Sequence, residues 1–168
     1  EMPIDFESTS LTYPWAGFGA SDYGAIPVSV ITNPDKSGIN VSNKVLKIEK
    51  AAGAQTWAGA SLDLDSKVDF SKGTKVKMAV WSPEAGAIIM FKTEVSTSPK
   101  DGNGNPTVYV QIEKTTTVAN AWEIITFDLT TGNGFNTANA YDRVILFPDF
   151  NVVGKGATYY FDDIKQAN

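Results

Sequence analysis

Apolar and polar residues alternate along most of the chain, in short runs. In Lys75 to Trp81, Val76, Met78 and Val80 share one side while Lys77, Ala79 and Trp81 share the other. Trp57 to Leu64 repeats the pattern, with Ala58, Ala60 and Leu62 set against Trp57, Gly59, Ser61 and Asp63. Lys44 to Glu49, Ala87 to Val95, Thr107 to Lys114, Trp122 to Asp128, Arg143 to Phe147 and Thr158 to Ile164 continue the series. A period of two over such lengths predicts strands with one face toward a core, and helical periodicity is nearly absent. The gaps carry turn chemistry. Ser82-Pro83-Glu84-Ala85-Gly86 supplies a fixed φ from proline and a positive φ from glycine, and Asp101 to Pro106 and Thr131 to Gly134 read as flexible loops. Many short strands separated by turns predict an all-β sandwich of two antiparallel sheets.

No internal repeat and no linker interrupts the 168 residues, so residues 1–168 read as a single domain. Thr12 to Tyr23 differs from the rest: Tyr13, Trp15, Phe18 and Tyr23 stand among Gly, Ala, Ser and Pro. This stretch is too glycine-rich for a regular element. It reads either as a binding loop or as a cover over the edge of the sandwich.

Composition removes whole classes of chemistry. With no cysteine there is no disulfide, no thiol nucleophile and no Cys-ligated zinc. With no histidine there is no Ser-His-Asp triad and no imidazole base, which leaves carboxylates, Lys and Tyr for acid–base work and oxygen ligands for any metal. A net charge of −5 without a Lys/Arg stripe argues against a nucleic-acid partner and against a polyanionic glycan. No apolar run is long enough to cross a bilayer. The start at Glu1 reads as a mature or processed end, and a secreted or cell-surface location is the expectation.

Both ends of the chain set carboxylates into apolar, strand-like runs: Ile4-Asp5-Phe6-Glu7 and Thr158-Tyr159-Tyr160-Phe161-Asp162-Asp163-Ile164. A carboxylate facing a core needs a positive partner. The expectation is that the termini pair in space and share a cation, with Glu7 and Asp162 as side-chain ligands and the Asn40 to Lys44 segment adding an amide oxygen and carbonyls. A hard, oxygen-ligated ion such as Ca2+ suits that donor set. The plainer alternative makes both residues solvated strand ends.

Alternation also assembles a candidate binding face. Trp57, Trp81, Lys92, Glu94, Tyr109 and Gln111 all fall on outward phases of their strands, with Trp15 and Phe150 as further platforms at the rim. Tryptophan and tyrosine stack on the apolar C–H faces of sugars, and charged and amide groups bond sugar hydroxyls. The alternative buries Trp57 and Trp81 under loops and leaves Lys92 and Glu94 as an ordinary surface pair. Trp122 alternates with core positions and reads as structural. The carboxylates form no recognisable spaced pair on one strand; Glu94 and Glu113 share a face on this reading, and their separation decides between a retaining pair, an inverting pair and no pair.

Several segments carry a resemblance. Asp5-Phe6-Glu7, Ser37 to Val45, Ala52 to Gly59, Val80-Trp81-Ser82-Pro83, Phe147-Pro148-Asp149-Phe150 and Tyr160 to Ile164 resemble jelly-roll carbohydrate-binding modules of the family 4 and family 22 type. Such modules are appended to bacterial β-glucan-degrading enzymes or surface glycan-binding proteins. The resemblance implies a β-sandwich jelly roll that is not an enzyme. It also implies a structural Ca2+ held by Glu7, the Asn40 to Lys44 region and Asp162. Relatives carry an acidic residue near the position of Val41, so here Asn40 or a main-chain oxygen would have to substitute. The implied ligand is a neutral polysaccharide, with laminarin (β-1,3-glucan) the first expectation, and the implied context is a larger polypeptide with further modules. The competing function is a structural or adhesion sandwich with a protein partner. A small glycanase or lyase is the third.

Overall fold

The computed structural model describes residues 2–168. Ten strands build two five-stranded antiparallel sheets: β1 (Ala16–Phe18), β2 (Val28–Thr32), β3 (Lys44–Lys50), β4 (Gly59–Asp63), β5 (Lys75–Ser82), β6 (Ile88–Glu94), β7 (Tyr109–Thr115), β8 (Ala121–Asp128), β9 (Arg143–Phe147) and β10 (Ala157–Ala167). One sheet has the order β1-β4-β9-β6-β7 and the other β2-β3-β10-β5-β8. Two single 3₁₀ turns, at Phe70–Lys72 and Leu129–Thr131, are the only helical elements among the described residues.

The two sheets face each other across one apolar core. Leu46 and Ile48 of β3, Val76, Met78 and Val80 of β5, Ile89 and Phe91 of β6, Val144 and Leu146 of β9, and Tyr159 and Phe161 of β10 are all buried there. For β5 and β6 these are the inward phases that the alternation predicted, and β3, β9 and β10 obey the same period of two. The termini do pair: Ile4 and Ile164 exchange N–H···O bonds of 2.9 Å in both directions.

Two strands lie where no regular element was expected. β1 is only three residues long, and β2 is half-exposed on both sides, so neither leaves a clear alternation. β1 covers the β4 edge of its sheet, with Gly17 opposite Ala60, so the aromatic stretch is partly edge cover.

The outward faces differ. On the β2-β3-β10-β5-β8 sheet, Val45, Ala79 and Trp122 are buried on the outside, with Ile31, Trp81 and Tyr160 packed against them. The segment 33–43 is tied to this patch. The Asp35 carbonyl accepts from Trp122 Nε1 at 2.7 Å, and the Asp35 carboxylate accepts from Trp81 Nε1 at 3.0 Å. On the β1-β4-β9-β6-β7 sheet Met90, Ile145 and Phe147 are buried on the outside with Phe18 and Phe150 packed against them, while Tyr109, Gln111 and Asp63 stay exposed, and these outward side chains form the candidate site.

Candidate functional site

Strand register lays the open face out in rows. One row runs across all five strands: Ala16, Ser61, Ile145, Lys92 and Gln111. A second holds Asp63, Arg143, Glu94 and Tyr109. A third places Phe147 beside Met90 and Glu113. At ~4.8 Å between strands the face is about 19 Å wide, and four residue steps separate Phe147 from Arg143, about 13 Å.

One end of the face is aromatic. Trp57, 41% exposed, stacks on Phe18 at 6.2 Å with planes 17° apart. Phe18 meets Phe147 edge-on at 5.6 Å, and Phe147 meets Phe150 at 5.6 Å. Tyr23, 73% exposed, leans on Trp57 at 6.4 Å from a left-handed backbone (φ 67°) that a bulky residue adopts only under constraint. Gly59 makes the ridge possible, because a Cβ there would lie 2.5 Å from the Leu146 carbonyl oxygen and 3.0 and 3.1 Å from the Phe147 and Phe18 rings.

The other end is polar and internally neutralised. Glu94 is 2% exposed and takes Arg143 Nη1 at 3.0 Å and Lys92 Nζ at 2.8 Å. The Lys92 contact is an ion pair outside hydrogen-bonding angles, since Glu94 Oε2 has no hydrogen-bond partner among the described residues. Arg143 Nε also donates to Asp63, and chiefly this bond holds the guanidinium above its ordinary pKa. Lys92 Nζ lies 4.5 Å from the centroid of the Tyr109 ring, so one face of Tyr109 is already covered by a cation. Recesses flank the face at both edges: one of 420 Å³ beside Tyr109, Gln111 and Asn133, and one of 510 Å³ between Ala16, Ser61, Asp63 and Arg143.

Of the predicted binding residues, Trp57, Lys92, Glu94, Tyr109, Gln111 and Phe150 come together on this face. Trp81 and Trp15 do not. Trp81 points outward from β5, which belongs to the other sheet, and it lies against Tyr160 at 5.2 Å beneath the Asp35 segment. Trp15 packs against the central core, with its indole N–H buried and without a partner among the described residues. The face also holds Phe18 and Tyr23 of the aromatic stretch read as a binding loop or an edge cover, Asp63 from the Trp57 side of its strand, and Arg143 and Phe147, which the sequence reading had not singled out. The phase of β9 was a usable signal for Arg143 and Phe147, since Val144 and Leu146 between them face the core. Glu94 and Glu113 are four residue steps apart along the strand direction, about 13 Å. That exceeds the separation of an acid–base pair working on one glycosidic bond.

The expected cation ligands converge on one segment. Asp162 is fully buried, accepts Asn40 Nδ2 at 2.9 Å and the Asp163 N–H at 2.8 Å, and has no ion-pair partner among the described residues. Burial pushes its carboxyl pKa up against those hydrogen bonds. A buried, unpaired carboxylate fits a hard cation. Glu7 fits less well in this geometry. One of its oxygens accepts the Asn43 and Lys44 N–H groups at 2.7 and 2.8 Å, and the other accepts Asn43 Nδ2 at 3.0 Å. Asn40 turns its amide NH2, not its oxygen, toward Asp162, and Lys44 turns its N–H toward Glu7.

No family profile and no curated protein sequence matches the chain. Solved structures do. The family 11 carbohydrate-binding module of Clostridium thermocellum, in complex with a β-1,3-1,4-mixed-linked tetrasaccharide, superposes with a TM-score of 0.62 at 16% identity, over 99% of this chain and 95% of that one. The CBM22-1 xylan-binding domain from Paenibacillus barcinonensis Xyn10C gives 0.52 at 18% identity, over 98% and 93%. An exo-β-agarase gives 0.65 at 14% identity, where the match covers 99% of this chain and 25% of the agarase chain. The chain therefore has the jelly-roll sandwich fold of carbohydrate-binding modules. The similar structures come from several module families, so the likeness reaches the fold and no single family.

Proposed function

We propose that the chain is a non-catalytic carbohydrate-binding module that holds a neutral polysaccharide on the β1-β4-β9-β6-β7 face. The observation that carries this reading is the contrast between the two outsides: one has its tryptophan patch, Trp81 and Trp122, tied down by its own segment 33–43, and the other keeps Trp57 exposed at an aromatic end and Tyr109, Gln111 and Asp63 exposed toward a polar end. The aromatic end offers stacking surfaces for sugar rings. At the polar end Asp63 and Glu94 are balanced by Arg143 and Lys92, which suits hydroxyl groups better than a charged sugar. The same pairing occupies Glu94, and Glu113 lies about 13 Å from it along the strand direction, too far to act with it on one glycosidic bond. Similar folds include a module in complex with a mixed-linkage tetrasaccharide and a xylan-binding domain, which supports a β-glucan or xylan as ligand class. Laminarin is the first ligand to test, and a secreted or cell-surface polypeptide with further modules is the setting this function implies.

Affinity gel electrophoresis against laminarin, mixed-linkage β-glucan, cellulose derivatives and xylan tests the reading. Retardation by at least one neutral glycan is the expected result. Uniform mobility on all of them would favour a protein-binding sandwich.

A structural Ca2+ anchored by Asp162 belongs to the same proposal. An ion bound only by the folded chain at a hundredfold over its dissociation constant adds about 2.7 kcal/mol, and its removal should lower the melting temperature by roughly 5–10 °C. Thermal melts with and without chelator, on the native chain and on Asp162→Asn, check this. An identical native curve in chelator removes the ion from the account.

A further inference from the structure

Lys50 ends β3 on its inward phase, following Leu46 and Ile48, and is 1% exposed. Its ammonium meets no carboxylate within ion-pair distance among the described residues. It donates instead to three main-chain carbonyls: Thr56 at 3.2 Å, Pro148 at 3.1 Å and Asp149 at 2.7 Å. A desolvated ammonium held only by carbonyls is a costly way to join two loops, and an apolar side chain would avoid that cost. What it joins is specific. Thr56 immediately precedes Trp57, and Asp149 immediately precedes Phe150. Thr56 O also accepts the Asn151 N–H at 3.0 Å, so both loops meet at one oxygen. Phe150 sits between two left-handed residues, Asp149 (φ 44°) and Asn151 (φ 67°), a backbone that persists only where its surroundings impose it.

We propose that Lys50 is a positioning residue for the glycan-binding face: its ammonium, caged by three carbonyls, holds the Trp57 and Phe150 loops in the one arrangement that aligns their rings. This rests on the glycan-binding reading of that face. A lysine that merely stabilised the fold would leave the rings in place whenever the chain stayed folded, so pH separates the two roles. Burial, above all, lowers the Lys50 pKa to about 8; Asp149 opposes this and Lys155 adds to it. The remaining groups at this end are Glu84, paired with Lys155 at 3.3 Å, and the Tyr159 phenol of β10, which burial pushes up. Below about pH 8 the ammonium is charged whether the chain is folded or unfolded. As pH rises through 8 the folded chain loses the proton, and with it one of three donors, while the unfolded chain keeps its proton up to 10.5. The Lys50 contribution to stability therefore rises over the window in which the clamp loosens. Falling affinity without a parallel loss of stability is the signature of positioning.

The test uses the full chain with Lys50→Met, which keeps length without donors, and Lys50→Arg, which stays charged. Affinity for laminarin and mixed-linkage β-glucan is measured from about pH 7 to about pH 10. The Trp57 indole and Phe150 amide signals are followed by NMR over the same range. Lys50→Met should bind about tenfold more weakly at neutral pH with both signals broadened. Lys50→Arg should bind as the native chain does at neutral pH and lose the native fall above pH 8. Unchanged Trp57 and Phe150 signals in a folded Lys50→Met chain would overturn the proposal, and so would an alkaline fall that persists in Lys50→Arg. If neither variant folds, the native pH series decides: invariant signals through pH 10 sink the idea. If the native chain binds neither glycan, the binding reading of the face fails by itself, and the NMR series still decides what Lys50 holds.

Discussion

Glu94→Ala should lower the melting temperature by about 10 °C, the largest stability effect expected on the open face. Glu94 is the buried member of its network and faces two cations, Lys92 and Arg143. Removing it leaves those cations as neighbours on adjacent strands, with only the Asp63 carboxylate still on Arg143. Breaking a buried ion pair by removing one partner typically costs 3–5 kcal/mol, roughly, because the surviving charge is left uncompensated. Asp63→Ala is the matched control. The Asp63 side chain is 70% exposed, so water replaces most of what the pair supplied, and the loss should stay below about 1 kcal/mol, or about 3 °C. Thermal unfolding of the two variants side by side measures the difference. Equal shifts would mean that the network is solvated, contrary to the burial of Glu94.

Alternation made the strands legible because each sheet has one face in a common core. Val76, Met78 and Val80 could not be turned outward without exposing three large apolar side chains. The same signal is silent on which sheet a strand joins. Lys92 and Trp81 are both outward, but a sandwich has two outsides, and the chain crosses between sheets after β5. Assigning Trp81 to the Lys92 face was therefore a choice that alternation could not make. The β1 misreading has a different cause: three residues beside glycines have no phase to read, so Trp15 looked as free as Trp57. The ion-pair network is a third case. Asp63 stood on the outward side of its strand and Arg143 at the start of another, yet their meeting with Glu94 depends on the register of β4, β9 and β6, which no local pattern specifies. Lys50 was the most readable of the missed residues. A lysine two steps beyond Leu46 and Ile48 stands on a core phase, and a charge on a core phase asks what holds it.

The two tryptophans on opposite outsides give the sharpest test of where the ligand lies. Trp57→Ala should reduce glycan affinity at least about tenfold, the loss of one stacking platform worth roughly 1.4 kcal/mol, and should change stability by less than about 1 kcal/mol. Its ring is 41% exposed and rests on Phe18, so truncation uncovers a surface and opens no interior cavity. Trp81→Ala should behave in the opposite way. The Trp81 indole is half-buried, bonds Asp35 at 3.0 Å and packs on Tyr160 at 5.2 Å, so its loss empties the space that anchors segment 33–43. A cost of about 3 kcal/mol and a fall of roughly 8 °C should follow, with glycan affinity unchanged. Isothermal titration with the bound glycan, paired with thermal melts, reads both quantities on both variants. If Trp81→Ala loses binding while Trp57→Ala keeps it, the ligand lies on the β2-β3-β10-β5-β8 side. Segment 33–43 would then be a lid that opens, because in its present position the Asp35 carbonyl and carboxylate occupy the indole N–H groups of both tryptophans on that face.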